Sequence, residues 1–309
     1  MPDPAPRILP FGEPALAEAA RLIIDGQPVA VPTETVYGLA ADATRAEAVA
    51  RIYAAKGRPS FNPLIVHVPD PAAAEALAVF DADARALAQA FWPGPLTLVL
   101  PLREGAPVAS LVTAGLPSVA IRVPAHRAMQ ALLRAAGMPL AAPSANRSGH
   151  ISPTRAEHVA ASLGATVPLI LDDGPTEAGL ESTIVGGRTI LRPGPITAEQ
   201  VAAVLGPLAE RVGDAITAPG QLLSHYAPSK PVRLDVTAAD ADEWHIGFGP
   251  IAGDETLSSG GDLTQAAARL FDALHRADAA TKLRIAVAPI PAHGIGEAIN
   301  DRLTRAAYR

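Results

Sequence analysis

The sequence predicts an α/β protein built as a large unit followed by a smaller one. Three observations carry this. Short apolar runs such as Val29–Val31, Leu64–Val68, Leu96–Leu100 and Ser118–Pro124 alternate with helical stretches. The chain is 49% hydrophobic but only 4% aromatic, so its core must be built from alanine and aliphatic side chains where helices meet a sheet. From 207 to 231 the character turns to that of a Pro- and Gly-marked linker, and two further strand–helix alternations follow it.

Residues 1–13 are Pro-rich and read as an extended arm. Pro14 opens a helix that Gly26 stops, with Leu16, Ala20, Ile23 and Ile24 on its apolar face. Val29–Val31 is a strand. It runs into Pro32-Thr33-Glu34-Thr35-Val36-Tyr37-Gly38-Leu39, a polar loop too rich in hydroxyls to be a plain connector. Thr44 and Glu47 have the spacing of a capping box, for a helix ending near Ala55. Lys56-Gly57-Arg58-Pro59 follows. A lysine there can simply complement the helix dipole. Arg58 lies between backbone-fixing residues, which suits a guanidinium that holds a planar anion. His67 alternates with apolar residues, and its ordinary reading is a buried core histidine.

Helices follow at 71–78 and 82–91, then a rigid Trp92-Pro93-Gly94-Pro95 turn, a strand at Leu96–Leu100 and a loop over 103–117. In the strand Ser118–Pro124, Arg122 stands among apolar residues and needs a partner, either a carboxylate of the protein or an anionic ligand. A helix covers about 126–136, and the strand Leu140–Ala142 enters Pro143-Ser144-Ala145-Asn146. Thr154/Glu157 and Thr197/Gln200 repeat the capping-box spacing, and Gly186-Gly187 joins two strands as a hairpin turn. Beyond the linker, strands are expected at Val232–Val236, Trp244–Phe248 and Arg284–Ala288, and helices at about 263–277 and 295–307. The expected boundaries are 1–206 for the first unit, 207–231 for the linker and 232–309 for the second.

Several chemistries fall away. The chain has no cysteine, which removes disulfides, Cys-based zinc sites and thiol nucleophiles. There is no Walker A pattern, no H-E-x-x-H and no nucleophile elbow. Gly247-Phe248-Gly249 with Gly253 imitates a dinucleotide fingerprint, but the third glycine is misplaced and no helix begins there. The net charge of −6 argues against a surface coated for nucleic acid. No apolar run is long enough to span a bilayer, no signal peptide is visible, and a cytoplasmic protein is expected. What remains is a polar set at strand ends: Thr33, Lys56, Arg58, His67, Arg122, Ser144, Asn146, Ser182 and Arg192. Four cations with several hydroxyls suit a polyanion, with room for a small polar metabolite.

These segments resemble the Sua5/YrdC/YwlC family of threonylcarbamoyl-AMP synthases. The resemblance lies in Val31–Leu39, in Lys56-Gly57-Arg58-Pro59 with Asn62-Pro63-Leu64, in Trp92–Thr97, in Ala120–Pro124, in Ala142–Asn146 with Ser148-Gly149, in Ser182–Val185 and in Arg192-Pro193-Gly194. His225-Tyr226-Ala227-Pro228 and Gly294–Leu303 resemble the linker and extra domain of the long, Sua5-type members. The resemblance implies a YrdC-like twisted mixed sheet around a concave cationic cavity, with a smaller α/β domain. It implies a nucleotidyltransferase that makes L-threonylcarbamoyladenylate and pyrophosphate from L-threonine, bicarbonate or CO2, and ATP with Mg²⁺. The product would pass to a separate transferase complex that modifies adenosine 37 of ANN-decoding tRNAs, with direct tRNA binding weak. On this resemblance Thr33, His67, Arg122 and Ser182 hold L-threonine. Lys56, Arg58, Ser60, Ser118, Ser144, Asn146, Ser152 and Arg192 hold ATP, Tyr226 folds over the nucleotide, and Lys56 and Arg58 act in catalysis. The Mg²⁺ ligands are not legible. Two other readings stand beside it. One is an RNA-binding or ribosome-maturation module without catalysis. The other is carbamoyl transfer in hydrogenase maturation, which would need Cys-rich zinc motifs that this chain lacks.

Overall fold

Apolar strands this short cannot bury themselves, and ten of them join in one sheet. The computed structural model describes residues 6–59, 62–210 and 225–308. The first unit runs β1 (Arg7–Pro10), α1 (Glu13–Ile24), β2 (Val29–Pro32), β3 (Tyr37–Asp42), α2 (Ala46–Lys56), β4 (Ile65–His67), α3 (Pro71–Leu77), α4 (Ala82–Phe91), β5 (Leu96–Pro101), α5 (Ser110–Thr113), β6 (Ser118–Arg122), α6 (Arg127–Ala136), β7 (Leu140–Ala141), α7 (Ala156–Leu163), β8 (Leu169–Asp172), β9 (Thr183–Gly186), β10 (Thr189–Arg192) and α8 (Ala198–Leu205). The sheet order is β1-β8-β2-β3-β7-β4-β6-β5-β9-β10, with parallel and antiparallel neighbours mixed. The second unit holds β11 (Val232–Arg233), β12 (Glu243–Gly247), β13 (Glu255–Thr256), α9 (Leu263–Ala279), β14 (Arg284–Val287) and α10 (Ile295–Ala307). Its four strands are all parallel, in the order β11-β14-β12-β13. No helix among the described residues is long and apolar enough to cross a membrane.

The two-residue period of the strands decides where the site can form. Val29, Val31 and Ala40 point to one face, where α1 and α6 cover them. Ala30, Leu39, Ala41 and Val66 point to the other, against α2. Across β4, β6 and β9 the first face carries only a small apolar group, Ile65, Ala120 and Ile184. In that register His67 pairs with Arg122 one step beyond Ile65 and Ala120. Polar side chains therefore sit where the apolar cover thins.

The structure departs from the sequence reading in several places. The Pro-rich arm contributes β1, which pairs in parallel with β8. The polar stretch after Val31 hides a hairpin: Tyr37–Asp42 folds back as β3 against β2. The 103–117 loop contains α5, and β13 adds a strand to the second sheet. The Thr197/Gln200 capping box is formed in both directions. The other two are not. Thr44 turns its hydroxyl to Asp42, Thr154 lies beside His158, and the two helices have Arg45 and Arg155 as N-cap residues with no side-chain cap. In the hairpin Thr189 pairs with Gly186, so the turn residues are Gly187 and Arg188, one position later than expected. The expected linker lies partly outside the described residues.

Candidate active site

Lys56 ends α2, and the left-handed C-cap Gly57 (φ 58°) turns the chain sharply there. The lysine is buried, and its Nζ donates to the carbonyls of Ser144 at 2.6 Å and Asn146 at 2.5 Å. Ser148 N donates back to the Lys56 carbonyl at 2.8 Å. Burial first, and the nearby Arg58 second, pull the ammonium well below its ordinary range, against an opposing pull from Glu181. The two stretches ninety residues apart therefore meet, with Lys56 pinning the Ser144–Asn146 loop from behind. Arg58 donates to the carbonyls of Asn62 (3.3 Å) and Pro63 (3.0 Å), and burial lowers its pKa to about 10. Arg192 donates to the Ser182 carbonyl from Nε (3.1 Å) and Nη2 (2.8 Å), and to the Ser182 hydroxyl at 3.2 Å. Burial also lowers Arg192.

Arg122 is held differently. Its Nε donates to Gly94 O at 3.2 Å and its Nη1 to Thr35 Oγ1 at 2.9 Å. Its Nη2 stands 2.7 Å from Glu34 Oε1 but off the line of a hydrogen bond. Glu34 is the protein carboxylate that a buried arginine needs. Burial acts most strongly and raises the Glu34 carboxyl, yet Arg122 and nearby backbone N–H groups together keep it below the usual range. The Thr33 hydroxyl closes the turn by donating to Val36 O (2.7 Å), and it lies 2.8 Å from the Thr35 hydroxyl. The Ser182 hydroxyl lies 2.7 Å from that of Thr97. His67 is buried beside Arg122. Burial, with Arg122 second, lowers its pKa to about 3, and its Nδ1 has no partner. A neutral ring with a free nitrogen can receive or orient a polar ligand.

One cavity lies among these residues. Arg58, His67, Arg122, Arg192, Thr33, Ser144 and Ser182 line it. Its roof is the returning chain. Tyr226 is wholly buried in a left-handed conformation (φ 63°), with its hydroxyl unpartnered, and its ring meets that of His225 edge-on at 4.0 Å. Burial, then Arg58 and the other nearby cations, hold the His225 imidazole well below its ordinary range.

Not every residue of the sequence reading reaches the cavity wall. Lys56 and Asn146 stand behind the Ser144 loop, and Asn146 Nδ2 donates to the carbonyls of Arg147 and His150. Ser152 donates to Glu181 Oε1 at 2.5 Å and is also outside the lining. Ser118 opens β6 opposite Pro101, four residues and roughly 13 Å along the strand from Arg122. Ser60 lies outside the described residues. The sequence reading gave no site role to Thr35, Glu181 and His225, which do line the cavity, or to Glu34 behind Arg122, although it quoted His225 with Tyr226 in the linker. Thr35 and Glu34 belong to the hydroxyl-rich stretch already singled out. Glu181 directly precedes Ser182, but nothing local marks it.

Among the described residues no group of three or more His, Asp or Glu side chains could hold a metal ion. Glu181, the carboxylate on the wall, is already taken by Ser152 and by Arg302 Nε at 2.8 Å. The residues present do not form a resident Mg²⁺ cage.

A sheet-end pocket with buried arginines on two sides defines a class of protein that binds a phosphorylated ligand beside a small polar one. The chain belongs to the Sua5/YciO/YrdC family: the family model described as telomere recombination matches residues 21–194. The model described as threonylcarbamoyl-AMP synthase, C-terminal domain, matches residues 196–308. The threonylcarbamoyl-AMP synthase of Bacillus subtilis (strain 168) is 41% identical over 97% of this chain and 94% of its own length. That of Pyrococcus abyssi (strain GE5 / Orsay) is 38% identical over 94% of each. The crystal structure of P. abyssi Sua5 complexed with L-threonine superposes with a TM-score of 0.90 at 37% identity, covering 97% of both chains.

Proposed function

We propose that the chain is a threonylcarbamoyl-AMP synthase. It joins L-threonine, bicarbonate and ATP into L-threonylcarbamoyladenylate, releasing pyrophosphate and water. The observation that carries this reading is the pairing, in one cavity, of a charge-balanced arginine with uncompensated cations. The Arg122–Glu34 pair is neutral overall and suits the zwitterion threonine, whose carboxylate meets Arg122 and whose polar groups meet Thr33, Thr35, His67 and Ser182. Arg58 and Arg192, with Lys56 behind the Ser144–Asn146 loop, suit the phosphates. His225 and Tyr226 close the cavity over the nucleotide.

In this reading the threonine amine captures CO2 as a carbamate, and a carbamate oxygen attacks the α-phosphorus while pyrophosphate leaves. Phosphoryl chemistry of this kind needs positioning and charge neutralisation more than a protein base. Mg²⁺ enters with ATP, as the ion of the substrate complex. The adenylate then supplies the threonylcarbamoyl group for adenosine 37 of ANN-decoding tRNAs, through a separate transferase.

The test mixes pure protein with ATP, Mg²⁺, bicarbonate and single amino acids and measures pyrophosphate. Release that depends on threonine is expected. Release with no threonine dependence, or tight and salt-sensitive tRNA binding in its place, contradicts the reading and favours an RNA-binding module.

A further inference from the structure

The second unit packs apolar side chains against Val36 and Tyr226 of the cavity, and it sends one charged side chain to the same place. On α10 the buried face is Gly296, Ala298, Ile299, Arg302, Leu303 and Ala306, so an arginine sits in the apolar stripe. It is fully buried. Its Nε donates to Glu181 Oε2 at 2.8 Å, its Nη2 to Pro193 O at 3.0 Å, and its Nη1 to Asp301 Oδ2 at 2.7 Å. Its guanidinium carbon lies 5.1 Å from the centre of the Tyr226 ring. Arg302 thus touches the wall, the roof and the segment after Arg192 without lining the cavity itself.

The charges explain why an arginine is needed there. Glu181 is a carboxylate on the wall of a pocket whose other charged groups are cations. Left free, it would pair with Arg192 or Arg58 and cancel the charge meant for phosphates. Burial alone would raise its carboxyl, but Arg302 first and Arg192 second hold it below the usual range, so it is ionised. Both of its oxygens are occupied from the far side, by Ser152 and Arg302. Asp301 completes the set and is itself held by Arg305 Nε at 3.0 Å, which leaves Glu181, Asp301, Arg302 and Arg305 neutral as a group.

We propose that Arg302 is a positioning residue for nucleotide binding, one that masks the Glu181 carboxylate and keeps it turned away from the phosphate-binding cations. The second unit is then a working part of the site: it tunes the potential of a cavity built by the first. The proposal rests on the nucleotide reading of that half of the cavity.

The experiment measures the separate affinities of the full-length protein for ATP with Mg²⁺ and for L-threonine by calorimetry. Arg302→Gln should weaken ATP by about tenfold or more, the scale of one charged interaction, and leave threonine within about twofold. Adding Glu181→Gln to that variant removes the unmasked charge and should bring ATP affinity back to within about threefold of the wild type. Glu181→Gln alone should bind ATP as well as the wild type or better. A packing role predicts the reverse: each change adds to the damage and both ligands suffer together. If Arg302→Gln does not fold, the double variant and Glu181→Gln still decide, and weaker ATP binding in both overturns the proposal. Wild-type protein that fails to bind ATP would instead sink the nucleotide reading itself.

Discussion

Arg122 faces a carboxylate of its own chain, Glu34 at 2.7 Å, whereas carbonyl and hydroxyl oxygens hold Lys56, Arg58 and Arg192. Among the described residues those three cations have no carboxylate within ion-pair distance. Both halves bury positive charge, but only one neutralises it. A buried charge without a partner is costly, and burial lowers the pKa of Lys56, Arg58 and Arg192 alike. A fold keeps such groups where a ligand completes them. The balanced half fits a ligand of no net charge, and the unbalanced half fits a polyanion. The carboxylate that could spoil the second half, Glu181, is taken by Arg302 of the other unit.

The largest expected effect comes from removing the pin behind the unbalanced half. Lys56→Ala should lower threonine-dependent pyrophosphate release by roughly a hundredfold or more, since it takes away a charge and frees the Ser144–Asn146 loop together. A normal rate in that variant would reduce Lys56 to an ordinary helix-end cation and erase the contrast between the halves.

Acid sharpens the comparison in the balanced half. His67 has its pKa lowered to about 3, and His275, buried against His158, has its pKa lowered to about 4. Both values lie below 6.5, so as pH falls the unfolded chain takes up protons before the folded one. Stability is therefore fully present above pH 6.5. It should fall progressively towards pH 4 through both histidines and further towards pH 3 through His67, seen as a falling Tm. The threonine KM should show no ionisation of the enzyme near pH 6.5, because His67 stays neutral in the folded protein. A step centred there in threonine affinity measured without ATP or bicarbonate, and absent from His67→Gln, would show His67 titrating and contradict its burial.

The smallest effect lies outside both halves. Thr197→Ala removes the one capping box of the three expected that is formed, and should cost about 1 kcal/mol in denaturant unfolding with substrate affinities unchanged. A change in either affinity would mean that α8 couples to the site.

Much of this molecule is legible locally. Arg122 announces itself as a charge inside an apolar strand, and Lys56 and Arg58 as cations around a helix-ending glycine. What stays hidden depends on competition or on distance. Thr44, Thr154 and Thr197 share one spacing, but Asp42 takes the hydroxyl of Thr44 and His158 stands beside that of Thr154, so only Thr197 caps its helix. The hairpin strand β3 is masked because Thr33-Glu34-Thr35 carries two cavity-lining hydroxyls and the carboxylate behind Arg122 where a strand pair would carry a turn. Glu181 and Arg302 lie 121 residues apart, and neither reads as part of a site until the two units are seen together.

The most direct measurement is a crossed titration of Arg122→Met and Arg58→Met with L-threonine and with ATP and Mg²⁺. Each variant should lose about tenfold or more for its own ligand, threonine for Arg122→Met and ATP for Arg58→Met, and little for the other. Parallel losses for both ligands in both variants would contradict a cavity divided into a balanced and an unbalanced half.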